Sequence, residues 1–413
     1  MKTEDPDLAY ALLTPEAVRE RCNEIFVMAE ASKLDHFEVH MEHLNDAVDL
    51  VLNEIEVNYS NTKVPFHSRW RHFQFGHRNL WSELAECLSK VTSMENARRR
   101  FDLAIVSVLL DAGAGPNWQY NDKKTGIVQG RSEGLALASI RLLESGLLSL
   151  NGEDEPFRVD AEALKKLNTK KLGEAFQVSA ANPLVGLDNR TRLLNRLGGA
   201  LLEKHEMFGR DGTFRPGNLF DYLSKKKVKG TVEARDILIS LLHGFGSIWP
   251  DGEWLGNIPI GDVGYHSSLS RKDITNRMIP FHKLSQWMTY SLIEPLEEAG
   301  VRVINLDNLT GLPEYRNGGL FLDTKVLKIT NAQDLLTVHQ LKSSLVVEWR
   351  ALTVALLDKL AEEVRRRTGN DATSLPLASV LQGGTWSAGR RIASQLRKGG
   401  TPPLSLQSSG TIF

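Results

Sequence analysis

LVVEWRALTVALLDKL, residues Leu345–Leu360, reads as a helix set among apolar residues, and its third-turn spacing decides how the rest of the chain is read. Glu348 falls on the line of Leu352, Leu356 and Leu360, each four residues further along, so its carboxylate is expected to point inward. An ionisable group in apolar surroundings is costly unless it is paired, so Glu348 should have a partner or a task. A buried ion pair with Arg316 or Arg350 is the structural reading. Working outward, PFHKLSQWMTYSLIEPL (Pro280–Leu296) reads as a second helix. Lys283, Gln286 and Tyr290 make one polar stripe on it, opposite Leu284, Met288 and Leu292, and Pro295 is expected to kink or end it. Between the two lies TGLPEYRNGGLFLD (Thr310–Asp323), read as a loop opened by Pro313 and closed by Gly318-Gly319. Its run Glu314, Tyr315, Arg316 supplies a base, a stacking ring and an anion-binding fork together. Ionisable residues recurring in these apolar surroundings predict a pocket.

The remaining periodicity is mainly helical. Ala9–Ala31, Leu44–Val57, Asn96–Leu110 and Glu133–Leu148 are expected as helices, as is a helix running to Phe208 with Asp188 as its N-cap. His36–Met41, Val301–Leu306 and Val326–Ile329 are expected as short strands, and 150–158, 209–217 and 250–272 as loops. The lysine run at Lys225–Lys227 reads as a solvated face. The fold class expected is mostly α: one helical domain over residues 1–413 with a few short strands, comprising N-terminal helices (1–60), a core (61–397) and an extended C-terminal arm (398–413).

Asp111 stands at the end of the very apolar 96–110 helix, before AGAGPNW. A carboxylate there faces the negative end of the helix dipole. Two readings stay open: a carboxylate bonding amides of a Gly-rich turn, or a pocket acceptor on a loop that a ligand can approach closely.

Composition excludes several classes of function. Lys plus Arg (50) nearly balances Asp plus Glu (51) over 413 residues, which predicts no nucleic-acid partner and no anionic membrane surface. Apolar runs such as LAIVSVLL fall short of the about 20 residues a membrane span needs. The acidic N-terminus MKTEDPDLAY predicts no secretory leader, and two cysteines, Cys22 and Cys87, fit a reducing, cytoplasmic setting. His36, His40 and His43, and His67, His72 and His77, recur at intervals, but no acidic residue completes a ligand spacing, so no metal is expected. No GxxxxGK[ST] or GxGxxG context occurs, so no nucleotide cofactor, nor any other cofactor, is expected.

Eight stretches carry a resemblance. They are PFHSRWRHF (Pro65–Phe73), SVLLDAGAGPNW (Ser107–Trp118), GRSEGLALASIRLL (Gly130–Leu143), FQVSAANPLVGLDNR (Phe176–Arg190), PFHKLSQWMTYSLIEPLEEAG (Pro280–Gly300), LTGLPEYRNGGLFLD (Leu309–Asp323), VVEWRALTVALLDKL (Val346–Leu360) and VLQGGTWSAGRRIA (Val380–Ala393). Together they resemble the uracil catabolism protein family of fungi and bacteria, over nearly the whole chain from His36. That family is encoded beside a GTP-cyclohydrolase-II-like enzyme of pyrimidine degradation, which the resemblance implies as a pathway partner. The order of motifs is also similar, more distantly, to queuosine-salvage nucleotide N-ribosyl hydrolases, helical proteins related in fold to DNA glycosylases. Those enzymes carry Asn-aromatic-Trp where this chain has Asp111 to Trp118, and Tyr-Lys-x-x-Gln where it has His282, Lys283 and Gln286. Their Asp-Tyr-Arg matches Glu314, Tyr315 and Arg316, and their Glu-Ile-Arg matches Glu348, Trp349 and Arg350. The changes to Glu314 and Asp111 lengthen one carboxylate's reach and replace an amide with an acceptor for N–H groups.

The likeness implies a DNA-glycosylase-like helical core and cleavage of an N-glycosidic bond in a ribosylurea-type nucleoside or its 5′-phosphate. Glu314, Lys283 and Asp111 are then the expected catalytic residues. Asp111 would accept from urea or base N–H groups, with Trp118 as an apolar wall and Arg131, Ser132 and Glu133 at the next helix start beside it. Gln286, Tyr315, Arg316, Glu348 and Arg350 are expected among the substrate-binding residues, with Glu348 either paired with Arg316 to fix the loop or in contact with the ribose. His67, Ser68 and Arg69 are the expected anchor for a 5′-phosphate. In the alternative, Asp111 is the catalytic carboxylate and Glu314 is structural. The rival functions are a ureide or amide hydrolase of the same pathway and a non-catalytic subunit of the cyclohydrolase-like enzyme.

Overall fold

The computed structural model describes residues 6–60, 63–87 and 91–407, with backbone alone for 85–87. The last six residues of the arm and the Cys87 side chain therefore lie outside the description. Helices dominate, and every described sheet is a pair of strands no longer than four residues. The mostly α class is what the periodicity predicts. The described chain divides into two compact units: one from residues up to His67, Glu253–Gln286 and Asn305–Gln407, the other from Ser68–Gly252 and Trp287–Ile304.

In the first unit the longest helix, Ser344–Thr368, forms the axis. Ser343 caps its start, and Gly369, at φ 67°, ends it in the left-handed region where glycine costs least. Glu348, Leu352, Leu356 and Leu360 are fully buried along one line, as their four-residue spacing predicts. The helices Pro15–Glu30, Leu44–Tyr59 and Tyr315–Asp323 pack around it. The expected single helix Ala9–Ala31 is two, Pro6–Ala11 and Pro15–Glu30. The break comes at Thr14, whose extended backbone and hydroxyl, accepting from Ala17 N–H at 3.2 Å, cap the second helix while Pro15 takes its first position. Phe37–Val39 pairs antiparallel with Leu327–Ile329, both at expected strand positions. The 250–272 stretch is not a plain loop: Glu253–Leu255 pairs with Ile258–Gly261, and Val263–Tyr265 with Met278–Pro280. The described part of the arm carries Ser405–Leu406, paired parallel with Val338–His339.

In the second unit Ser93–Leu109 is buried on nearly every side, and Asp102 on it is held by Arg215, Gly217 N–H and Val159 N–H. The expected helix to Phe208 is two, Leu187–Glu203 and His205–Phe208, and Gly186 at φ 73° precedes the first, so Asp188 lies inside it and is not the cap. Pro295 does not end its helix, which runs Lys283–Glu298. The carbonyl that Pro295 leaves without a helical donor, that of Ser291, accepts the Trp70 indole N–H at 2.7 Å. A partner from outside the helix thus satisfies the group that proline orphans. Among the described residues no helix is long and apolar enough to cross a membrane.

Candidate functional site

Two polar clusters hold most of the residues singled out, one in each unit. In the first unit, Glu314 is not in a loop closed by glycines. It is the N-cap of the Tyr315–Asp323 helix, with extended backbone at φ −116° and ψ 164°. Its Oε2 accepts from Arg316 N–H at 2.8 Å and its Oε1 from Asn317 N–H at 2.6 Å. The helix therefore fixes the carboxylate and presents its positive end to it. Gly318 and Gly319 lie within the helix because neighbours press on it. A Cβ on Gly318 would come 2.7 Å from the Trp349 ring, and one on Gly319 3.1 Å from Pro403. Burial pushes the Glu314 pKa upward, while the two amides and the Lys283 ammonium act to hold it down.

Lys283 opens its helix, and Asp262 receives it: the Lys283 N–H donates to Asp262 Oδ2 at 3.2 Å. Arg350 grips the same carboxylate through both Nη atoms, at 2.9 and 2.7 Å, with its guanidinium 4.1 Å from the centre of the Phe281 ring. Burial raises the Asp262 pKa, but Arg350 more than reverses this and holds the carboxyl below the usual range. His282, at φ 48°, donates its Nε2–H to the Leu12 carbonyl, 2.8 Å away, and burial lowers its pKa. One turn on, Gln286 takes the Thr310 N–H at 3.1 Å and donates to the Thr310 hydroxyl, so this helix holds the segment leading to Glu314.

Glu348 is buried as expected, but its partners are others. Oε2 meets His266 Nε2 at 3.1 Å and Oε1 accepts from Phe37 N–H at 2.8 Å. Arg316 lies over the Tyr315 ring and donates to the Gly400 carbonyl at 2.8 Å, so the expected Glu348–Arg316 pair does not form, and neither does a Glu348–Arg350 pair. The carboxylate needs a donor near its own depth, and the 250–272 stretch brings His266 there. His67 Nδ1 bonds Gln382 Oε1 at 3.0 Å.

In the second unit, Asp111 meets Arg69 and Ser132. Arg69 Nη1 donates to Asp111 Oδ2 at 2.9 Å and to Ser132 Oγ at 3.2 Å, and the Ser132 hydroxyl donates to the same Oδ2. Arg69 Nε donates to Ser107 Oγ at 2.7 Å, and burial lowers its pKa against the pull of Asp111 and Glu133. Ser68, expected beside Arg69 as part of a phosphate anchor, donates to Glu294 at 2.7 Å. Trp118 is buried, stacked on Phe176, and its indole N–H donates to the Phe176 carbonyl at 3.0 Å. Arg131 is exposed. The carbonyls of Leu110, Ala112, Gly113 and Val185 converge on Arg190.

Sequence reasoning missed Asp262, His266, Thr310 and Arg190. Arg190 carried a usable signal, since it precedes Leu193, Leu194 and Leu197 on their own buried line. Asp262 and His266 carried none, because short paired strands in a Gly-rich stretch show no period. An open cleft of about 540 Å³ in the first unit is lined by His40, His43, Asp323, Lys325, Lys328 and Arg397 among others, and includes none of the residues singled out for catalysis. The buried, oriented carboxylate is the better marker of chemistry than that cleft.

Curated relatives match the chain along nearly its full length. Protein urg3 of Schizosaccharomyces pombe is 39% identical, with 97% of this chain and 98% of the relative covered. Uracil catabolism protein 4 of Lachancea kluyveri is 38% identical, with 96% and 97% covered. The family model described as protein of unknown function (DUF1688) matches residues 11–413. With a match of that extent and relatives of that identity, this chain belongs to the DUF1688 family, alongside urg3 and uracil catabolism protein 4.

Proposed function

We propose that this protein is an N-ribosyl hydrolase of uracil catabolism, cleaving a ribosylurea-type nucleoside or its 5′-phosphate to urea and ribose or ribose 5-phosphate. The relative named uracil catabolism protein 4 supports the pathway, and the motif likeness to N-ribosyl hydrolases supports the reaction class. The observation that carries the reading is Glu314: a buried carboxylate capped by two backbone N–H groups, within the field of Lys283.

Cleavage of a C1′–N bond passes through an oxocarbenium-like state, which a carboxylate near C1′ stabilises. Water forms the new bond to C1′ as the bond to nitrogen breaks. Glu314 takes a proton from that water and passes it on through solvent to the departing nitrogen, so urea leaves neutral and the carboxylate is regenerated. Lys283 favours the ionised form of Glu314 against the effect of burial, and Asp262 with Arg350 fixes the start of the Lys283 helix. No step calls for a cofactor. The GTP-cyclohydrolase-II-like enzyme is the proposed supplier of the ring-opened substrate.

The test is single-turnover hydrolysis of ribosylurea and its 5′-phosphate by wild type and Glu314→Gln. The near-isosteric amide removes the charge, and a loss of roughly a hundred- to ten-thousand-fold is expected. A folded Glu314→Gln with near-wild-type turnover would assign Glu314 to the helix alone.

A further inference from the structure

The second-unit cluster carries features that the chemistry at Glu314 does not use. Arg69 is fully buried, yet its Nη2 has no hydrogen-bond partner, while Nε and Nη1 are taken by Ser107, Asp111 and Ser132. A buried N–H without an acceptor is costly, so such a group commonly marks a place where a further acceptor is seated. Asp111 shows the complement: Oδ2 takes both Arg69 and Ser132, and Oδ1 has no hydrogen bond among the described residues. Ser132 and Glu133 open the Arg131–Glu144 helix, whose cap residue Gly130 has no side chain to satisfy its first N–H groups. The guanidinium reaches that helix start through its bond to Ser132.

Charge decides which ligand fits. One guanidinium faces two carboxylates, Asp111 and Glu133, and Arg190 is already engaged by four carbonyls. With Arg69 and Arg190 set against Asp111 and Glu133, the cluster has no net positive charge, so phosphate finds no net attraction where a neutral group needs none. An unused donor and an unused acceptor carried by one bonded Arg69–Asp111 pair match a group with both a C=O and an N–H. We propose that Arg69, Asp111 and Ser132 form a binding site for a neutral carbamoyl group, the C=O meeting Arg69 and the N–H meeting Asp111 Oδ1. The ligand class agrees with the function proposed above, but it is argued from this cluster alone and tested by binding without turnover.

The probe is N-ethylurea, followed by saturation-transfer NMR on the full-length protein, with inorganic phosphate as competitor. Saturable binding is expected, with no competition from phosphate. Asp111→Asn should weaken it roughly tenfold or more, the cost of losing a hydrogen bond to a charged group. Because Asp111→Asn leaves Arg69 without its counter-charge, Asp111→Glu is the second variant. It keeps the charge, displaces the acceptor, and should also weaken binding. Absence of saturable N-ethylurea binding, displacement by phosphate, or unchanged affinity in a folded variant would overturn the assignment. None of these results bears on whether Glu314 is catalytic.

Discussion

Asn317 donates its backbone N–H to the Glu314 carboxylate at 2.6 Å, so the residue proposed for the chemistry also starts the helix that orients it. One contact joins stability to function, and the two are separable by experiment. Glu314→Ala removes the cap and should cost about 0.5–2 kcal/mol of stability. Glu314→Gln retains one acceptor and should cost less stability while losing about as much activity as Glu314→Ala. Urea denaturation of both variants beside their turnover checks this. Residual turnover that falls only in step with destabilisation across the two variants would mean the cap explains everything.

The pH dependence has a definite sign. Burial raises the Glu314 pKa, and the proposed working form is ionised, so activity should climb with pH through a value above the ordinary glutamate range. Lys283 acts to lower that value. Lys283→Met should therefore move the acid limb of kcat/KM to higher pH. The linkage runs the other way for folding: an acid whose folded pKa is raised contributes stability at low pH that is lost as pH rises through that pKa. Glu314→Gln should flatten this dependence. An acid limb unmoved in Lys283→Met would separate the two side chains functionally.

Arg350 and Asp262 are a bidentate pair in the first unit, and only one of them was expected from sequence. Breaking a buried pair by removing one partner typically costs about 3–5 kcal/mol, because the other charge is stranded. Asp262→Ala should fall in that range by chemical denaturation. Asp262→Asn, which keeps an oxygen for the Lys283 N–H, should lose less and retain more turnover.

Trp70 and Pro295 make a test of the helix through proline. Trp70→Phe removes the donor to the Ser291 carbonyl and should cost about 1–3 kcal/mol, the penalty for an unsatisfied buried polar group. Pro295→Ala restores a helical N–H, so in the Trp70→Phe background it should recover part of the loss. Additive effects in the double-mutant cycle would contradict the account.

Two glycines should respond oppositely to alanine. A Cβ at Gly389 would lie 2.2 Å from the Arg316 carbonyl oxygen, so Gly389→Ala should destabilise, by about 1–3 kcal/mol. Gly199 sits within the Leu187–Glu203 helix with nothing within 4 Å of a Cβ, so Gly199→Ala should stabilise by about 0.4–1 kcal/mol. Thermal denaturation of the two variants checks both signs.

What was legible in the sequence follows from periodicity. The line of Glu348, Leu352, Leu356 and Leu360 gave helix and burial together, because three or four residues per turn leaves a visible trace. The same rule found Lys283 and Gln286 at a helix start. It failed where a side chain sets the local structure. Glu314 looked like a loop residue because glutamate is not among the common caps, and Gly318-Gly319 looked like a loop end because their reason, the Trp349 ring, is distant in sequence. Partners were least legible. Glu348 finds His266 and Arg350 finds Asp262 only because a Gly-rich stretch folds into paired strands, and no spacing announces that.

The most direct test of the central claim is the fate of nitrogen when the protein turns over ribosylurea 5′-phosphate carrying ¹⁵N at both urea positions. N-ribosyl hydrolysis predicts that both labels leave together in urea, alongside ribose 5-phosphate, with purified protein alone and loss of activity in Glu314→Gln. Labelled ammonia or carbamate would mean attack at the carbonyl carbon, and turnover only with the cyclohydrolase-like enzyme would mean a subunit; either result would contradict the account.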